Sequence, residues 1–267
     1  MPGLTSSTGL LRRVRRAASQ VLGVALSGLR FAHLAIHASM GVAAVALLFP
    51  WASSAFRLTW KRRWSRHLFR CLGVELCLRG ELPSGLIVAN HISFLDIFAI
   101  NALTPVVFVA KADVRHWPII GWLASRTDTL FLERGSSVAA FTARSALVRY
   151  LSAGVGAALF PEGTTTRGDI VLPFHGALLQ AAIDVGSPVT PLAIRYCHRD
   201  GRRSEAAAYV DDLTLWQCLV SIASSHGLVA RVEVLAPLPP LTTDRRHLAA
   251  TAHRAIAECI GSVKPPY

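Results

Sequence analysis

The chain has 267 residues, of which 52% are hydrophobic and only 16% charged, and a formal net charge of +12. That length can bury a sizeable core, and the composition is apolar for a freely soluble enzyme. The positive charge is not a nucleic-acid signature: residues 1–72 hold eleven Lys/Arg and no acidic residue before Glu75, whereas the remainder sums to only +1.

The first predicted element follows Arg12, Arg13, Arg15 and Arg16. Its clean apolar core, Ala38 to Phe49, covers roughly 18 Å as a helix, against about 30 Å of bilayer hydrocarbon. Extending it upstream recruits Arg30, His33 and His37, which are expensive near a bilayer centre. After Pro50 comes a second helical pattern. Phe56, Trp60, Trp64, Leu68 and Phe69 recur at helical spacing among Arg57, Lys61, Arg62, Arg63, Arg66 and Arg70, the composition of a segment lying among lipid headgroups. Positive charge on both flanks favours a hairpin dipping into one leaflet over a single span, with a soluble partner-binding hairpin as the third reading. Residues 1–72 are therefore expected to form a basic, apolar helical membrane hairpin. Arginines bordering a long apolar segment fit a nucleic-acid groove poorly.

From residue 73 to 267 short β-rich runs alternate with helical ones. Strands are predicted at 85–90, 105–110, 129–134, 156–163, 189–196, 206–210 and 228–238. Helices are predicted at 94–103, 117–125, 137–154, 175–186, 214–225 and 244–261. Continuous apolar strands separated by helices imply an α/β domain with a buried, largely parallel sheet covered on both faces. Cys71, Cys77, Cys197, Cys218 and Cys259 are scattered without CxxC, which suits reduced thiols and gives no zinc or disulfide framework.

Ligands in such sheets tend to bind beyond the carboxyl ends of the strands. Four successive strand ends carry polar groups there: Asn90-His91, Lys111, Glu133-Arg134, and Glu162 through Arg167. Ser93-Phe-Leu-Asp96 also fits a helix-capping pattern, so Asp96 has a purely structural reading. The chemical reading needs His91 on the loop before the helix and Asp96 in its first turn, since five residues on an ideal helix lie about 140° apart. The carboxylate can then meet Nδ1 and leave Nε2 to accept an alcohol proton.

Asn90-His91-x-x-x-x-Asp96 together with Phe160-Pro161-Glu162-Gly163-Thr164 resembles the 1-acylglycerol-3-phosphate acyltransferase family of membrane phospholipid enzymes. Phe131-Leu132-Glu133-Arg134 and Val189-Thr190-Pro191-Leu192 are similar to two further blocks of that family, so the likeness spans about residues 73–200. It implies a glycerolipid-acyltransferase-like fold. It also implies direct transfer of an acyl group from acyl-CoA or acyl carrier protein to the free hydroxyl of 1-acyl-sn-glycerol-3-phosphate, with His91 as base and Asp96 orienting it.

On the same resemblance Arg134 holds the acceptor phosphate; Asn90, Ser93, Glu162, Gly163, Thr164, Thr165 and Arg167 are read as completing the substrate-binding set, and Lys111 is either a compensating cation or a solvated strand-end lysine. Glu162 either orients the acceptor or supports its turn. No metal or cofactor is expected. The implied partners are a lysophospholipid, an acyl thioester and a membrane surface, with the site on the cytoplasmic side of the inner membrane. One departure matters: phosphatidate-making members usually have arginine where this chain has Thr165. That keeps another lysolipid acceptor open, such as lyso-ornithine lipid. A lipid acyl hydrolase lacks its Gly-x-Ser-x-Gly elbow here, which leaves Ser93 as its nucleophile. A non-enzymatic membrane-binding protein would be indifferent to loss of His91.

Overall fold

The computed structural model describes residues 6–81, 84–133, 135–239 and 244–261, with side chains from residue 26 onward except that of Ser137. Two helices open the chain, α1 (Ser6–Leu47) and α2 (Ser54–Leu72). The body then runs β1 (Glu75–Arg79), β2 (Leu86–Ala89), α3 (Leu95–Leu103), β3 (Val107–Lys111), α4 (Ile120–Arg126), β4 (Leu130–Leu132), α5 (Ser137–Ser152) and β5 (Ala157–Leu159). It continues through α6 (Gln180–Asp184), β6 (Val189–His198), α7 (Leu215–Ser224), β7 (Leu228–Val234) and α8 (Arg245–Gly261).

The strands form one sheet in the order β1-β7-β6-β2-β5-β3-β4. Every neighbouring pair is parallel except β6 with β7. β2 lies at the centre and is buried along its whole length, which is why its sequence is unbroken Leu-Ile-Val-Ala rather than alternating. Helix residues Leu68, Phe69, Leu72, Leu95, Ile100 and Ile222 cover one sheet face. Leu147, Leu151, Ala182, Leu248 and Ala252 cover the other.

Two expectations about strands are corrected. Residues 206–210 are not a strand: Ala208 N–H bonds to Glu205 O and Tyr209 N–H to Ile92 O, so the run is a buried loop folded over the rim. Its small apolar residues are buried like those of a strand, and burial alone does not distinguish the two. Conversely, β1 is an edge strand whose exposed positions broke the apolar pattern. The helix expected over 175–186 contracts to a 3-10 turn at Ala177–Leu179 followed by α6.

At the N-terminus α1 is a single helix of 42 residues, about 63 Å long. Its stretch Leu26–Leu47 is long and apolar enough to cross a bilayer by length and composition. Leu29, Ile36, Met40 and Leu47 are exposed at spacings that place them on one stripe. Of the polar residues that looked expensive, His33 is exposed, but Arg30 and His37 face the protein. Arg30 Nη1 donates to Ala223 O at 2.6 Å and Ser225 O at 2.8 Å, so a cation satisfies the carbonyl end of α7. His37 is buried against α2. α2 in turn is tied to the body: Lys61 Nζ donates to Val106 O at 2.8 Å and Arg66 Nε to Ala102 O at 2.8 Å.

Candidate active site

β2 delivers the central loop of the site, and that loop is fixed on every side by hydrogen bonds. Asn90 is fully buried. Its Nδ2 donates to Ile194 O at 3.0 Å and its Oδ1 accepts from Ile194 N at 2.8 Å, locking the end of β2 to β6. The next peptide is held from β5: His91 N–H donates to Glu162 Oε1 at 2.7 Å, and Glu162 Oε2 accepts from Leu172 N at 2.8 Å. His91 O accepts from Thr166 N at 2.8 Å, and Ile92 O from Tyr209 N at 2.9 Å.

On this frame the His91 and Asp96 side chains meet. Nδ1 of His91 lies 2.9 Å from Asp96 Oδ2. The same oxygen accepts from Ile92 N at 2.7 Å and Ser93 N at 2.9 Å, and Tyr196 donates its hydroxyl to Oδ1 at 2.8 Å. The capping role and the dyad role of Asp96 are thus one arrangement, because the bonds that start α3 also aim the carboxylate. A carboxylate ringed by donors requires Nδ1 to donate as well, which leaves the lone pair of the neutral ring on Nε2. That nitrogen makes no hydrogen bond among the described residues, and the His91 side chain is 19% exposed while Asp96 is sealed. Phe160 stacks on the imidazole at 4.0 Å between centroids and 13° between planes, fixing its tilt.

Burial pushes Tyr196 well above the usual phenol range, with Asp96 adding to the effect. It therefore stays a neutral donor. Burial also raises Glu162, opposed by the N–H groups of Leu172 and His91.

The remaining residues divide sharply. Ser93 is fully buried, caps Leu95 N–H at 3.3 Å, and sits beside Tyr196 and Cys218 rather than at an opening. Asn90, Ser93 and Glu162 are braces, with their polar atoms committed to the chain. Gly163 turns at φ 69°. Thr164 is exposed, and Thr165 donates its hydroxyl to Tyr209 O. Arg167 is exposed and pairs with Glu205 at 3.2 Å and with Asp211. Lys111 is exposed at the end of β3. Arg134 lies outside the described residues.

Two participants gave no local sequence signal. Tyr196 is 100 residues from Asp96, and only the β2–β6 pairing brings it there. Gly168 has φ 77°, and a Cβ on it would fall 2.7 Å from Ile92 Cδ1, so a larger residue would push against the His91 loop.

A buried acid orienting a histidine whose far nitrogen faces a strand-end rim is chemically able to take a proton from an alcohol. The comparisons supply the family. A family model described as Acyltransferase matches residues 79–195. A lyso-ornithine lipid O-acyltransferase of Pseudomonas aeruginosa is 38% identical over 202 residues, covering 75% of this chain and 77% of that protein. A 1-acyl-sn-glycerol-3-phosphate acyltransferase of Neisseria meningitidis is 36% identical over 168 residues, covering 62% and 66%. The crystal structure of the 1-acyl-sn-glycerophosphate acyltransferase PlsC from Thermotoga maritima superposes with a TM-score of 0.65 at 19% identity, over 93% of this chain and 98% of that one, which establishes a shared fold. The chain belongs to the acyltransferase family of lysophospholipid type.

Proposed function

We propose that the protein transfers a fatty acyl group from a thioester, acyl-CoA or acyl carrier protein, to the free hydroxyl of a lysolipid. The observation that carries this is the His91–Asp96 contact with Nε2 left open. In the proposed step Nε2 takes the hydroxyl proton as the oxygen attacks the thioester carbonyl. The tetrahedral intermediate then expels the thiolate, which recovers the proton from the imidazolium. Asp96 stabilises the charged ring throughout. A thioester is already activated, so positioning and base catalysis suffice without a serine nucleophile.

The acceptor this rim suits is a lysolipid without a phosphate, such as lyso-ornithine lipid. Thr165 stands where phosphatidate-making members usually have arginine, and its hydroxyl is spent on Tyr209 O. The guanidinium of Arg167 is already answered by two carboxylates. The longer match to the Pseudomonas aeruginosa protein points the same way. Lysophosphatidate is the second reading, favoured by the Neisseria meningitidis relative and by Lys111 on the rim.

The apolar stripe of α1, with Trp51 and Phe56 exposed at the hairpin turn, would enter one leaflet of the inner membrane from its cytoplasmic side. The lysolipid would then reach the rim laterally while the thioester arrives from water.

The test is a product analysis with labelled thioester and a panel of lysolipids. Acylated ornithine lipid as the main product supports the favoured acceptor, and phosphatidate as the main product overturns it. His91→Ala should lower turnover by about 10²–10⁴ on any acceptor while vesicle binding persists. Undiminished turnover in that variant refutes the base.

A further inference from the structure

The hairpin carries a cluster that acyl transfer does not use. His37 of α1 and His67 and Cys71 of α2 turn their donor atoms toward one point. His67 Nδ1 lies 3.1 Å from His37 Nδ1 and 3.4 Å from Cys71 Sγ, and the three atoms all lie within 4.8 Å of one another. Around a tetrahedral zinc ion, bonds of about 2.05 Å to nitrogen and 2.3 Å to sulfur put two nitrogens about 3.3 Å apart and a nitrogen and a sulfur about 3.6 Å apart. The two separations from His67 agree within a few tenths of an ångström.

Protons alone serve this cluster poorly. His67 Nδ1 faces two neighbours, yet in the neutral ring it either donates one proton or offers one lone pair. His37 Nε2 is buried without a partner, so moving the His37 proton between its two nitrogens does not satisfy the whole group. A cation satisfies the three facing atoms at once, with the His37 proton then held on Nε2.

We propose that His37, His67 and Cys71 bind one zinc-like divalent cation that clips α1 to α2. Two imidazole nitrogens and a thiolate are the donor set of a borderline-soft metal rather than of magnesium or calcium. Binding releases the Cys71 thiol proton to solvent, and the thiolate offsets one of the two charges of the ion. His37 and Cys71 are buried and His67 is exposed, so the fourth position opens outward on the His67 side, where water can fill it. The ring of His37 is already set for the role, because Trp64 stacks on it at 4.4 Å and donates its indole N–H to His37 O at 3.2 Å. Linear spacing could not reveal such a site, since the ligands come from two helices and only His67 and Cys71 share one.

The test uses the full chain in detergent, stripped with a chelator and titrated with Co²⁺ and Zn²⁺. One equivalent should bind, with a thiolate-to-cobalt absorption band that zinc abolishes. His67→Ala and Cys71→Ser should each weaken binding by more than about 100-fold, whereas Cys77→Ser, on β1, should leave it unchanged. Absence of stoichiometric binding, or equal affinity in the first two variants, overturns the proposal. Should either variant fail to fold, the native chain decides: Zn²⁺ but not Mg²⁺ should slow alkylation of Cys71, and equal rates with both ions overturn the site.

Discussion

The dyad loop and the acceptor rim belong to the same end of the same sheet, yet they are built in opposite ways. Around His91 and Asp96 almost every polar atom is buried and paired, with bonds arriving from β6, from the turn after β5 and from the 206–210 loop. At Thr164 and Arg167 the side chains are exposed, and the ion pairs of Arg167 are surface contacts of the kind that contribute little to stability. Geometry at the base is over-determined, while the rim, the proposed place of acceptor recognition, is adjustable. On the proposed function, a protein built this way can change acceptor by altering a few exposed residues without disturbing the chemistry, whereas half-buried Thr165, bonded to Tyr209 O, sits at the border between the two.

The sharpest way to break the comparison is to disturb the buried half. Asp96→Asn keeps the shape but presents an amide where three donors converge on one oxygen, and it no longer stabilises a charged imidazole. Turnover should fall by about 10²–10⁴ with every acceptor and little change in KM. A fall confined to one acceptor would mean that Asp96 acts in recognition.

A smaller uniform effect is expected one bond further out. Tyr196→Phe removes the donor to Asp96 Oδ1 and leaves that oxygen buried without its partner. The loss is worth about 1–3 kcal/mol in stability, and kcat should drop roughly tenfold through the loosened carboxylate. Steady-state kinetics together with thermal unfolding would check both, and a Tm shift with unchanged kcat would restrict Tyr196 to a structural role.

How much of this was legible in the sequence follows the same division. His91, Asp96 and the Phe160–Thr164 turn could be read because their spacing is local and their residue types are unusual in an apolar run. The buried parallel strands were equally plain from their continuous apolar letters. Tyr196 could not be read, since an aromatic residue in a strand looks like core until β6 is placed beside β2. The loop at 206–210 was misread because sequence registers burial but not the backbone partners, and its partners are single bonds to the His91 segment rather than a ladder. Glu162 and Asn90 had the polarity of substrate contacts, but both proved to be committed to neighbouring backbone. In a rim assembled from strand ends, a polar residue can face inward to hold the loop as readily as outward to hold a ligand.

The mildest perturbation tests the exposed half directly. Arg167→Gln removes a cation that lies outside the buried network, so the unfolding free energy should stay within about 0.5 kcal/mol of the native value. If the acceptor carries no phosphate, its turnover should change less than about threefold, because the guanidinium is held by Glu205 and Asp211 rather than by ligand. Activity on lysophosphatidate, measured in parallel, tests the same point: a fall on that acceptor alone would show that Arg167 leaves its carboxylates to hold phosphate. A large and equal loss on both acceptors would place Arg167 with the buried machinery, and exposure would then no longer separate a rigid base from an adjustable rim.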